Sequence, residues 1–121
     1  MEYRCMDKIK IKRAYDKPEK GDGVRILVDR LWPRGITKQK AKIDIWAKDL
    51  APSAELRTLY HKDKKARFKS FSIRYRAELQ SNRDSLKSIK KEVGKKKVTL
   101  VTAVQEEDIK TSHVPIIERY F

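Results

Sequence analysis

Val24-Arg25-Ile26-Leu27-Val28-Asp29-Arg30-Leu31-Trp32-Pro33-Arg34-Gly35 is the most informative run in this chain of 121 residues. Val24, Ile26, Leu27, Val28 and Leu31 leave no wet face, so residues 24–31 predict a strand covered on both sides. Such strands lie within parallel sheets that helices cover. Pro33 cannot donate to a ladder and Gly35 permits a sharp turn, which stops the strand at Trp32. The same strand carries Arg25, Asp29 and Arg30, two of them near its C-terminal end, an unusual place for charge in so apolar an element.

Upstream, residues 8–14 alternate, with Ile9 and Ile11 on one side and Lys8, Lys10 and Lys12 on the other, and this predicts a strand with one wet face. Residues 1–6 read as a loose leader, and 17–23 read as a loop from their Pro, Gly and Asp content. Downstream, Ile43, Trp46, Ala47 and Leu50 fall at helical spacing, and Pro52 ends that helix. Ser53 is an N-cap for a second helix with Leu56, Leu59 and Tyr60 inside. Phe68, Phe71, Tyr75 and Leu79 form a third stripe. Asn82 caps a fourth helix, which buries Leu86, Ile89 and Val93 and ends at Gly94. Residues 98–104 are a short β-branched strand, followed by the acidic loop Gln105-Glu106-Glu107-Asp108. Ser112 caps a closing helix that carries Pro115 in its first turn. The expected fold is α/β: one domain over 1–121, a small, mostly parallel sheet of about three to four strands covered by about five helices. The first connection, about nine residues long, leaves open whether strands one and two run parallel.

Composition narrows the function classes. Charged residues make up 40% and hydrophobic residues 39%, with 31 Lys+Arg against 17 Asp+Glu and a net charge of +14. Cys5 alone excludes an intramolecular disulfide and a thiol-rich metal site. No apolar run approaches the ~20 residues of a membrane span, and the charged N-terminus has no signal-peptide core, so a cytoplasmic setting is expected and no membrane partner. The charge is uneven: residues 1–50 carry +6, residues 51–97 carry +10 and residues 98–121 carry −2. A basic face of this kind attracts anions through a long-range, salt-sensitive field, although a well-solvated surface is the simpler account.

Ligands of open α/β sheets bind beyond the carboxyl ends of the strands. The residues expected there are Asp29, Arg30, Trp32 and Arg34, with Asp44, Trp46 and Asp49 following and His113 from the last turn. Arginine forks suit phosphate or carboxylate, a carboxylate can orient a guanidinium, and tryptophan offers a stacking surface. The competing account is an Asp–Arg pair that pins a loop, with both tryptophans in the core. His113 sits at a helix start, where backbone N–H groups attract anions. His61 is a surface residue near a helix end and lacks ligand spacing to His113. No phosphate-loop or dinucleotide fingerprint, acidic magnesium cluster or activated thiol is present, so no cofactor or metal is expected and no catalytic residue is assigned. A second surface is the basic row Arg83, Lys87, Lys90, Lys91, Lys95, Lys96 and Lys97, able to neutralise phosphates without reading sequence.

The run from Gly23 to Gly35 resembles the YeaO-like proteins, a bacterial and archaeal group classed as domain of unknown function 488. The resemblance continues through Lys12-Arg13-Ala14-Tyr15-Asp16, Trp46, Lys48-Asp49-Leu50-Ala51-Pro52-Ser53, Phe71, Arg74-Tyr75, Glu78-Leu79 and Val98-Thr99-Leu100. It implies a small cytoplasmic α/β domain of unassigned activity, with Asp29, Arg30, Trp32, Pro33, Arg34, Asp49 and Pro52 as its motif residues. After the last strand the family pattern has Ala-x-Asp and then His-Asn, with Cys-His-Arg in longer relatives. Here the stretch reads Val104-Gln105-Glu106-Glu107-Asp108-Ile109-Lys110-Thr111-Ser112-His113-Val114. If that turn belongs to a shared site, this chain is an altered or inactive version.

The leading expectation is a domain, enzyme or not, that binds a small anionic ligand at the ends of its second and last strands. The alternatives are non-specific nucleic-acid binding through the basic row and a protein-interaction module without chemistry.

Overall fold

Every strand of the sheet runs parallel to its neighbours, so no hairpin joins any two of them. A computed structural model describes residues 9–62 and 64–121. In it β1 (Ile9–Arg13), β2 (Val24–Leu27), β3 (Ile45–Trp46) and β4 (Val98–Thr102) lie in the order β1-β4-β2-β3. The leader with Cys5 and Met6, Lys8 of the first strand, and the side chains of Tyr60 and His61 lie outside the described residues. Strands β1 and β2 are parallel but not adjacent, because β4 pairs with both: Ile11 with Leu100 on one side, Ile26 with Leu100 on the other. This central position explains why all five residues of β4 are buried.

The two faces of the sheet follow the period of two along β2 and β4. Ile26, Val28, Val98 and Leu100 point into the larger core, where they meet Phe71, Tyr75, Leu79, Leu86, Val93 and Ile117. Leu27 and Val101 point the other way, with Ala14, into a smaller core closed by Trp32, Ile43 and Trp46. Helices α2 (Ala54–Lys62), α3 (Lys64–Ser81), α4 (Arg83–Val93) and α5 (Val114–Glu118) follow β3, and their apolar side chains build the first core. The stripe expected on α3 is realised, since Phe71, Tyr75 and Leu79 are fully buried and Phe68 packs beside them.

Four expectations need correction. Residues 43–50 are not a helix. The helix there is α1 (Lys38–Ala41), which Thr37 caps by accepting from the Lys40 N–H, and it ends at Lys42 in the left-handed conformation with φ 48°. Ile45 and Trp46 then pair with Ile26 and Leu27, and a 3-10 turn covers Lys48–Leu50. The free edge of β2 decides this: its carbonyls at Arg25 and Leu27 accept from the N–H groups of Asp44 and Ala47, at 2.9 and 2.8 Å. Leu31 is not part of a buried strand; it is 65% exposed, in a loop beyond β2. Asn82 gives no side-chain cap to α4; its amide donates instead to the Glu78 carbonyl on α3. Nor does Ser112 cap α5: the N-cap there is His113, and Ser112 Oγ, one residue earlier, accepts from the Val114 N–H at 3.2 Å. Ser53 does cap, accepting from the Leu56 N–H at 3.2 Å.

At the N-terminal end of the strands Asp22 is buried among cations. Its carboxylate accepts from Arg25 Nη1 at 2.7 Å and Lys12 Nζ at 3.1 Å, with Lys10 at 3.5 Å. Its carbonyl accepts from Thr99 Oγ1 of β4 at 2.7 Å. Gly23 follows with φ 69°, and a Cβ there would lie 2.3 Å from the Lys97 carbonyl, so only glycine lets the chain turn into β2 at that point. Burial pushes the Asp22 carboxyl up, but the Glu19 N–H, Lys12 and Arg25 outweigh it and hold it at about 2. A carboxyl lowered by folding stabilises the fold above its ordinary pKa near 3.8 and loses that contribution as pH falls toward 2. Asp22→Asn is therefore expected to lower stability by about 3 kcal/mol in urea denaturation near neutral pH, because it leaves the buried Arg25 guanidinium without its counter-charge. The deficit against the parent should shrink on acidification through pH 4 to 2.

Candidate functional site

The loop beyond β2 is held where the two central strands, β2 and β4, end. Asp29 Oδ1 accepts from Thr102 Oγ1 at 2.7 Å, and Oδ2 accepts from the Ala103 N–H at 2.7 Å. His113, just before α5, brings Nε2 to 2.9 Å from the Val28 carbonyl and 3.2 Å from Asp29 Oδ1. Both neighbours are acceptors, so Nε2 carries the proton and shares it between them. The ring also stands edge-on to Tyr75, with centroids 6.0 Å apart. Burial pushes the Asp29 carboxyl up, yet His113, the Ala103 N–H and the Thr102 hydroxyl bring it below its ordinary value. Tyr75, buried in α3, donates to the Leu50 carbonyl, and burial with the nearby Glu78 and Asp29 charges holds its phenol well above 10. Glu78 accepts from both the N–H and the hydroxyl of Ser53, which fixes Pro52 against the same end of the sheet.

These contacts border a cleft of about 390 Å³ at the carboxyl ends of the strands. Of the expected ligand residues, Asp29, Arg30, Trp32, Arg34 and His113 line it. Trp46 stands behind the wall: its indole N–H donates to the Asp29 carbonyl at 2.8 Å, and Trp32 meets it edge-on at 5.5 Å. Lys48 Nζ covers the Trp46 ring at 4.4 Å. Asp49 borders a neighbouring shallow hollow with Lys48 and Asn82. Asp44 lies at the far end of β3, where its carboxylate accepts from the Arg25 N–H at 2.9 Å. Thus the structure groups five of the eight and separates three.

Two lining residues escape the sequence reading. Tyr15 reaches the cleft from beyond β1, donating its hydroxyl to the Arg34 carbonyl at 3.0 Å, with Arg13 over its ring at 5.2 Å. Its signal was the run after the first strand, since all parallel strands end on one side. Arg57 enters from α2, and nothing in its local sequence marks it. The lining also includes Pro33, Pro52 and Phe71, and Asp108 from the 3-10 turn after β4. Among the described residues no group of three or more His, Cys, Asp or Glu side chains is placed to hold a metal ion, and no helix is long and apolar enough to cross a membrane.

The family model described as "Inactive DUF488-N3 subclade" matches residues 8–121. This chain belongs to the DUF488 family. It is 42% identical to the uncharacterized protein YeaO of Escherichia coli over 93 residues, 77% of this chain and 80% of YeaO. It is 39% identical to uncharacterized proteins of Mycobacterium tuberculosis and Mycobacterium bovis over 110 residues, 91% of this chain and 90% of theirs. No solved structure matches significantly. The run from Asp29 to Arg34 lines the cleft together with Val104, Asp108, Ser112 and His113 of the stretch after β4.

Both oxygens of the Asp29 carboxylate serve the junction, Oδ1 through Thr102 and His113 and Oδ2 through the Ala103 N–H. Replacing Asp29 with asparagine removes one acceptor and turns an amide toward either Ala103 N–H or Thr102. Asp29→Asn is expected to cost about 2 kcal/mol, read as a lower urea midpoint with an unchanged slope. An unchanged midpoint would show that the junction does not hold the fold.

Proposed function

We propose that this DUF488 protein binds a small organic anion of phosphate or carboxylate type in the cleft at the carboxyl ends of its strands, without turning it over. One observation carries the reading. Arg30, Arg34 and Arg57, from two separate segments, reach a single cleft, and among the described residues no ion pair or side-chain hydrogen bond occupies their guanidinium groups. Such forks bind phosphates and carboxylates through paired, charge-assisted hydrogen bonds. Binding without turnover is favoured by the state of the polar groups around them. Both oxygens of Asp29 hold the strand junction, His113 donates its Nε2–H inward, and the Ser112 hydroxyl donates to the Ile109 carbonyl while accepting from Val114. Among the described residues no nucleophile stands beside a free base here, the arrangement covalent catalysis needs. The family description, which calls its subclade inactive, agrees with that reading. Calorimetric titration with nucleotides, sugar phosphates and carboxylates is expected to find a binder whose affinity falls about tenfold in Arg34→Ala. Failure of every anion to bind, or equal binding after Arg30 and Arg34 are both replaced, would overturn it.

A second reading rests on the basic row. Lys87, Lys90, Lys91, Lys95, Lys96 and Lys97 are all exposed, as is Arg83. Lys95 to Lys97 lead into β4 from the end of the sheet opposite the cleft, so the two surfaces are separable by mutation. Non-specific duplex DNA binding at this face predicts affinity that falls steeply with salt, with a slope reduced by about 3 when Lys87, Lys90 and Lys91 are replaced. Fluorescence anisotropy across a salt series measures that slope. A salt-independent signal, or none at low salt, removes the reading.

A further inference from the structure

We infer that the anion taken by the cleft is carried on a flat, largely apolar ring, as an aryl or heteroaryl phosphate or carboxylate, and is not a bare inorganic ion. This rests on the anion-binding reading above and adds the body of the ligand to its charge. The cationic groups are only part of the lining. Between them stand Pro33, Pro52 and Phe71, all buried, with Trp32 half-buried beside them. Leu31, flanked by Arg30 and Trp32 in the chain, is 65% exposed on the rim. A phosphate held by arginines alone would leave the exposed surface of Leu31 and of half-buried Trp32 wet and gain nothing from covering it. A ring bearing the anionic group would cover that surface while its charge met the guanidinium forks. The volume agrees, since about 390 Å³ lies within the ~300–1,000 Å³ common for organic ligands.

The aromatic surfaces are fixed in advance. Trp32 donates its indole N–H to the Ile36 carbonyl at 2.7 Å and rests edge-on against Trp46. With that donor used, the indole offers the cleft contact area and π surface, not a hydrogen bond. Tyr15 is held by its hydroxyl on the Arg34 carbonyl and by Arg13 over its ring. Both rings are therefore ordered before any ligand arrives, which lowers the entropic cost of stacking against them.

Titration calorimetry on the full chain with inorganic phosphate, phenyl phosphate and phenol separates the contributions. Phenyl phosphate is expected to bind at least about tenfold more tightly than phosphate, and more tightly than phenol. Leu31→Ser, at an exposed position that leaves the fold intact, should weaken phenyl phosphate about threefold and leave phosphate unchanged. Equal affinity for phosphate and phenyl phosphate, or a Leu31→Ser protein that binds phenyl phosphate like the parent, overturns the ring inference and leaves anion binding standing. Phenol binding as tightly as phenyl phosphate overturns the anion reading itself, and so does the failure of both phosphates to bind.

Discussion

The Asp29 carboxylate joins the elements on which the rest of this structure depends. Its two oxygens take a hydroxyl from Thr102, an N–H from Ala103 and a share of the His113 Nε2–H. The first two bonds span 73 and 74 residues of sequence, and His113 is 84 positions away. One side chain therefore fixes the end of β2 to the end of β4 and to the start of the closing helix. Cost decides why this works. A carboxylate near a sheet core is expensive unless donors compensate it, and here three donors reach it and lower its pKa despite burial.

A matching arrangement closes the other end. Asp22 is held by Arg25, Lys12 and Lys10, and its carbonyl is tied to Thr99. Thr99 and Thr102 are thus the two points at which β4, buried throughout, touches polar structure at either end of the sheet. The ends differ in what remains unengaged. At the Asp22 end the charged side chains face one another. At the Asp29 end the acid accepts from hydroxyl, N–H and imidazole donors, and among the described residues no ion pair or side-chain hydrogen bond occupies Arg30, Arg34 or Arg57. The overall charge of +14 describes neither arrangement. The three arginines that line the cleft matter more to the proposed function than the exposed lysines that make up much of that excess.

The second strand was legible because its side chains are apolar on both faces, and a sheet covered on both sides needs such residues whatever its strand order. The helix stripe of Phe71, Tyr75 and Leu79 was legible for the same local reason. Residues 43–50 misled because Ile43, Trp46, Ala47 and Leu50 fit a helical period, while the decisive force came from elsewhere. The edge of β2 had unpaired carbonyls, and the backbone of Asp44 to Ala47 met them. A short strand with only two ladder residues carries too little pattern to outweigh a four-residue coincidence. The site divided in the same way. Asp29, Arg30, Trp32 and Arg34 came from one contiguous run, whereas Arg57 reaches the cleft only because α2 lies across that end of the sheet.

Sequence alone determined the class of the fold, the strand that lies within its sheet, the helical faces that cover it and the run that builds one cleft wall. These follow from period, propensity and turn chemistry, which act between residues close in the chain. Only the tertiary structure decided that β4 separates β1 from β2, that His113 closes on Asp29, and that Asp44 belongs to the opposite end from the cleft. Each of those outcomes depends on satisfying backbone and carboxylate groups with donors many residues away. No local pattern records which distant donor will arrive.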